Sequence, residues 1–76
     1  MADTKLDLRG KAPGERADTV REAFEALDAG QELGLVSDMD PHPIYYELRS
    51  EFDVDEEASE IQERADHLYA AWFVKR

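Results

Sequence analysis

The stretch Leu68-Tyr69-Ala70-Ala71-Trp72-Phe73-Val74-Lys75 decides the fold of this chain, because it fits two different elements. Its side chains fall into two alternating sets, and a period of two is typical of a β-strand. A longer apolar set has the spacings of three and four that are typical of a helix: Ala58, Ile61, Ala65, Leu68 and Trp72. Periodicity alone leaves both interpretations open. A hairpin turning at Asp66-His67 would raise the number of strands from two to four, and two strands alone make a poor sheet.

The first part of the chain predicts a strand followed by a helix. Residues 5–9 alternate with period two and place Leu6 and Leu8 on one face. Pro13 suits a first helical position, where its missing N–H costs nothing, and Gly30 supplies the left-handed residue that ends a helix. Charged residues, Arg16 among them, cover the polar side of this helix. Its apolar face consists of Ala17, Val20, Phe24 and Leu27.

The middle of the chain repeats this order. Residues 32–37 form a second strand, in which Gly34 leaves a gap on the face opposite Leu33 and Leu35. Asp40-Pro41 is typical of a helix start, with the acid as cap and the proline at the first helical position. The second helix carries its apolar stripe on Ile44, Tyr45, Leu48 and Phe52. We expect residues 1–4 to be a disordered tail and residues 53–57 to be a solvated acidic loop.

The charge balance excludes several classes of partner. Nineteen Asp and Glu stand against nine Lys and Arg, which gives a net charge of −10. Such a surface repels phosphate backbones, and no apolar run is long enough to span a bilayer. We therefore expect a soluble, cytoplasmic protein that binds neither nucleic acid nor membrane. Only three of the cations are lysine, which favours a salt-adapted host; the alternative is an ordinary acidic domain with a basic partner.

Three motifs carry a resemblance to a known family. They are Leu6-Asp7-Leu8-Arg9-Gly10 followed by Pro13, Asp38-Met39-Asp40-Pro41-His42-Pro43-Ile44-Tyr45, and Trp72-Phe73-Val74-Lys75-Arg76. With them the chain resembles the TusA/SirA-like small domains, and most closely an uncharacterised offshoot of that superfamily that lacks the carrier cysteine. Together with the charge balance, the resemblance implies that this member comes from a salt-adapted archaeon.

The resemblance implies a fold. It is an α+β fold, a two-layer α/β sandwich in the order β-α-β-α-β-β, with two helices on one face of a four-stranded mixed sheet. A single domain would cover residues 5–76. The resemblance thus favours the hairpin for the ambiguous C-terminal stretch.

The chain departs from the sulfur carriers at the position that defines them. Those carriers hold sulfur on a Cys-Pro cysteine, whereas this chain has Ala12-Pro13 and contains no cysteine. Sulfur relay and thiolate-metal chemistry are therefore not available. The sequence also lacks a Ser/His/Asp set and a glycine-rich phosphate loop, so we expect no catalytic residues, no cofactor and no enzyme.

Two loops offer candidate binding residues. Asp38, Asp40 and His42 could hold a divalent metal, but the ligand set is sparse, and we favour a structural role in which Asp40 caps the helix. We therefore expect no metal. Arg9 could bind an anion near two helix N-termini, although an ion pair with Asp38 or Asp40 is the simpler expectation.

The aromatic residues suggest a contact surface. Strand alternation places Trp72 and Phe73 on opposite faces, so one of them packs near Tyr45 and the other lies on the side that no helix covers. The exposed one, with Tyr69 beside it, would bind a partner or a second copy of the chain.

These observations lead to two hypotheses. The first is a non-catalytic interaction module that docks a partner protein in sulfur, redox or nitrogen-oxide metabolism, with a weak homodimer as a further possibility. The second is a small anion- or metal-binding domain that uses the loops between strand ends and helix starts. The candidate contact residues are Arg9, Asp38, Asp40, His42, Tyr45, Tyr69 and Phe73.

Overall fold

The computed structural model describes residues 3–76 and contains two helices and one four-stranded sheet. The elements are β1 (Thr4–Asp7), α1 (Pro13–Glu25), β2 (Glu32–Ser37), α2 (His42–Glu51), β3 (Val54–Ala65) and β4 (Leu68–Lys75). The spatial order of the strands is β1-β2-β4-β3, with β1 parallel to β2 and both other pairings antiparallel. The predicted α+β class and element order are confirmed.

The ambiguous C-terminal stretch is a central strand. β4 pairs with β2 on one side and with β3 on the other, so that Ala71 lies opposite both Leu35 and Ile61. The helical interpretation of its apolar spacing is therefore wrong. The hairpin turns at Asp66-His67 as expected, and His67 has a φ of 56°, in the left-handed region.

Two predicted boundaries are corrected. β1 begins at Thr4, and the backbone N–H of Asp3 donates to Glu32 O at 2.9 Å, so neither residue belongs to a disordered tail. The rest of the predicted tail, residues 1 and 2, lies outside the described residues. The acidic stretch after α2 is not a loop, because β3 already begins at Val54.

The core lies between the helices and one face of the sheet. Val20 and Phe24 of α1 are fully buried, as is Phe73 of β4, whose ring stacks on that of Tyr45 with 5.2 Å between centroids. The buried stripe of α1 begins at Arg16 rather than at Ala17, because Arg16 precedes Val20 by one helical turn. The charge of Arg16 predicts a position on the polar side of α1, and this prediction is wrong.

Within residues 3–76, no helix packs on the opposite face of the sheet. Residues paired across the strands point to the same side, so Lys5, Gly34, Trp72 and Glu60 form one row across this face. We call it the open face. Among the described residues, neither helix is long and apolar enough to cross a membrane.

Candidate functional site

Arg9 forms its ion pair with a neighbour on its own strand end. Its Nε donates to Asp7 Oδ1 at 3.0 Å and its Nη2 to Asp7 Oδ2 at 2.8 Å. These two side-chain hydrogen bonds, followed by the one that the backbone N–H of Arg9 donates, lower the pKa of Asp7 to about 2. The expected ion pair of Arg9 with Asp38 or Asp40 is therefore wrong. Asp7 thus neutralises the charge of Arg9, whose side chain stays more than half exposed.

Asp38 instead pairs with Arg16. Arg16 Nη1 lies 2.5 Å from Asp38 Oδ1, a close ionic contact that is not an aligned hydrogen bond. The side chain of Arg16 is only 7% exposed, and it also donates from Nε to Lys11 O and from Nη1 to the Ser37 hydroxyl. The Arg16 guanidinium, followed by the Gly10 N–H, lowers the pKa of Asp38. These contacts fix the two loops that precede the helices.

Asp40 and His42 form a separate pair on the loop into α2. Asp40 Oδ1 accepts the backbone N–H of His42 at 3.0 Å and lies 2.5 Å from its ring Nδ1. The carboxylate therefore satisfies an N–H at the helix start, as a cap does, although the residue at the N-cap itself is Pro41. Within residues 3–76, no group of three His, Cys, Asp or Glu side chains is arranged to hold a metal ion.

The aromatic candidates divide between the two sides of the sheet. Tyr45, Tyr69 and Phe73 lie on the helix side, and Trp72 lies on the open face. Phe73 is fully buried, so it belongs to the core and cannot contact a partner. Tyr69 lies opposite Ser37, and partial burial, followed by the Glu63 and Asp40 carboxylates, raises the pKa of Tyr69. Trp72 is the aromatic residue that the open face presents.

A shallow groove of about 640 Å³ crosses the open face. Its floor is formed by Gly34, Val36 and Ala70, and Trp72 forms one wall. The predicted gap at Gly34 is therefore present: the absent side chain and the small Ala70 leave room beside the indole.

Two cations border the groove from opposite edges of the sheet. Lys5 lies on the edge strand β1 and Arg64 on the edge strand β3. Neither forms an ion pair within the described part of the chain, whereas Arg9, Arg16, Arg21, Arg49 and Arg76 all do. Two carboxylates lie close to the groove: Asp7, which is held by Arg9, and Glu60, which lies opposite Trp72 on the open face and accepts a hydrogen bond from Gln62 Nε2. The groove is thus an apolar site with two free cations at its rim, on a chain of net charge −10.

Sequence reasoning did not identify Arg16, Lys5 or Arg64. The signal for Arg16 was its spacing of four residues from Val20 and eight from Phe24, which belongs to the buried stripe. For Lys5 and Arg64 the sequence held no such signal, because they meet at one groove only through the order of the strands.

Comparison of the chain with curated proteins and with solved structures finds no match to either. A family match does cover nearly the whole chain, from the first strand to the last residue of β4. The chain belongs to the family of uncharacterized conserved proteins designated DUF2249, which it matches over residues 5–75.

Proposed function

We propose that this chain is a non-catalytic interaction module whose open face docks a segment of a partner protein. The segment presents an apolar side chain to the groove and carries carboxylates on either side of it. The observation that carries the proposal is the position of Lys5 and Arg64, two free cations at opposite edges of one apolar groove.

The apolar character of the open face supports docking. Five apolar side chains are partly exposed there, with no helix above them in the described part of the chain: Val36, Leu68, Ala70, Trp72 and Val74. A continuous apolar surface of this kind on a small domain marks a site of association. Trp72 has the amphipathic ring that is enriched at the centres of protein interfaces.

The charges support an acidic segment over a second copy of the chain. A flanking carboxylate gains a free partner in Lys5 or Arg64, each of which has none within residues 3–76. Two copies stacked through their open faces would bring two chains of net charge −10 together, which opposes dimerisation at low salt.

The element order supports a relationship to the TusA/SirA-like sulfur carriers, with Ala12 in place of the carrier cysteine. We propose on this basis that the partner acts in sulfur, redox or nitrogen-oxide metabolism, and that the module works in the cytoplasm of a salt-adapted cell. In such a cell acidic partner surfaces are common and long-range repulsion is screened.

Trp72 provides the test, because it is the one tryptophan of the chain and lies on the proposed surface. The probe is an eight-residue peptide that alternates glutamate and leucine, added in about 0.5 M KCl to screen net charge. We expect the indole emission to shift to shorter wavelength. A peptide that alternates lysine and leucine should bind less tightly, although the net charge of the chain favours it.

Matched variants complete the test. Arg64→Gln should weaken binding of the glutamate–leucine peptide by about two- to fivefold. Lys11→Gln makes the same charge change on an exposed side chain that does not line the groove and should leave binding unchanged. Equal binding of the two peptides, or no effect of Arg64→Gln, overturns the acidic segment. A stable dimer in analytical ultracentrifugation that Ala70→Glu dissociates would assign the open face to a second copy instead.

A further inference from the structure

A second cleft lies on the helix side of the sheet, between the N-terminal halves of α1 and α2. It has a volume of about 290 Å³. Pro13 and Ala17 of α1 face Pro43 and Ile44 of α2 across it, and Met39 stands at its mouth with half of its surface exposed. We call it the interhelical cleft. It is separated from the open face by the thickness of the sheet.

The polar groups on the floor of this cleft are already satisfied. Ser37 is almost fully buried, and its hydroxyl donates to Met39 O at 2.8 Å and accepts the Met39 N–H at 3.1 Å. Arg16 donates to Lys11 O and to Ser37, and Asp38 neutralises its charge. The floor therefore accepts an apolar group and offers no free recognition group for an anion.

The rim of the cleft carries carboxylates. Asp40 precedes α2 at one end of the cleft and is engaged by His42, whereas Glu47 lies on α2 itself, one turn after Pro43. The nearest cation to Glu47 is Arg21, whose Nη2 is 3.9 Å away and whose Nε is bonded to Glu51 at 2.9 Å. Glu47 is more than half exposed, and its carboxylate is free to accept a further cation.

We propose that the interhelical cleft binds the side chain of a lysine from a partner protein. The four-carbon stem would lie against Ala17 and Ile44, and the ammonium group would reach Glu47 at the rim. A protein segment fits better than a free amine for two reasons. The cleft is at the lower limit of ligand-pocket volumes, about 300 Å³, and the exposed Met39 continues its apolar surface outward, where only a larger partner would cover it.

The test is an amide chemical-shift titration with blocked tripeptides. The probe is acetyl-Ala-Lys-Ala-amide, and the comparison peptides replace lysine by norleucine or by glutamate. We expect the lysine peptide to shift the amides of residues 13–17 and 37–47 and to bind about two- to fivefold more tightly than the norleucine peptide. Glu47→Gln should abolish that difference.

The control variant is Glu22→Gln, which removes an exposed carboxylate of α1 that neither lines the cleft nor pairs with Arg21 within residues 3–76. It should preserve the preference for lysine.

Ala17→Leu fills the cleft and should abolish binding of all the peptides, with the amide spectrum verifying the fold. A stronger response to the glutamate peptide would show that the cleft prefers anions. Equal affinities for the lysine and norleucine peptides would show that it recognises only the apolar stem. Free n-butylammonium binding as tightly as the lysine peptide would replace the partner protein by a small amine. Each of the last three outcomes would overturn the lysine proposal. None of them would bear on the proposal for the open face, because Arg64 and Trp72 do not line this cleft.

Discussion

Lys75 holds the C-terminal end of α1. Its Nζ donates to the carbonyl oxygens of Phe24, Glu25 and Leu27 at 3.3, 3.0 and 2.8 Å, respectively. The last carbonyls of a helix have no partners within it and carry partial negative charge, so an ammonium group stabilises them. Lys75→Met keeps the apolar stem and removes the donor. It should lower the free energy of unfolding by about 1–3 kcal/mol in urea denaturation.

Lys11→Met is the matched control for this prediction. It removes the same charge from an exposed side chain, so any general effect of net charge is shared by the two variants. An equal loss of stability in both would contradict a capping role for Lys75.

The ion pair between Arg16 and Asp38 should make stability depend on acid. Because the Arg16 guanidinium lowers the pKa of Asp38 in the folded state, the unfolded state binds the proton more readily. The contribution of this ion pair to the free energy of unfolding is complete above 3.8, the ordinary pKa of an aspartate. It is lost as the pH falls through the lowered pKa that Asp38 has in the folded state. Asp38→Asn should therefore flatten the decline of the urea midpoint as the pH falls below 3.8. A decline as steep as in the parent chain would contradict this assignment.

At the scale of single elements, the β3–β4 hairpin depends on its turn. His67 has a φ of 56°, which an L-residue other than glycine adopts at a cost. His67→Gly should raise the free energy of unfolding by about 0.5–1 kcal/mol, because glycine adopts this conformation without strain. Asp66→Gly is the control in the same turn, since Asp66 has no positive φ and should lose stability through added unfolded-state entropy. A His67→Gly variant no more stable than the parent would show that the turn is not strained.

Sequence alone predicted those elements in which one periodicity dominates. The strand at residues 32–37 and the helix that starts at Pro13 agree with the structure for this reason. In the C-terminal stretch both periodicities are present, and only pairing with β2 and β3, which is a long-range interaction, distinguishes them. The site was less predictable still. Strand alternation separates Trp72 from Phe73 but does not say which of them the helices cover; the prediction of Tyr69 and Phe73 as contact residues is not met by the register, which places them on the helix side and Trp72 on the open face.

For the whole molecule, the net charge of −10 should make stability depend on ionic strength. Among the described residues, exposed carboxylates such as Glu57 and Glu63 on β3 form no ion pair, and their mutual repulsion opposes the compact state. The Debye length falls from about 10 Å at 0.1 M salt to about 3 Å at 1 M, so KCl should raise the midpoint of thermal unfolding over this range. The double variant Glu57→Gln, Glu63→Gln should have a higher midpoint at 0.1 M KCl and a smaller rise, because less repulsion is left to screen. A midpoint that does not rise with KCl, or an equal rise in both proteins, would exclude repulsion among surface carboxylates as the limit on stability. A confirmed salt dependence would also set the conditions for finding the partner, since an acidic segment approaches this surface only when long-range repulsion is screened.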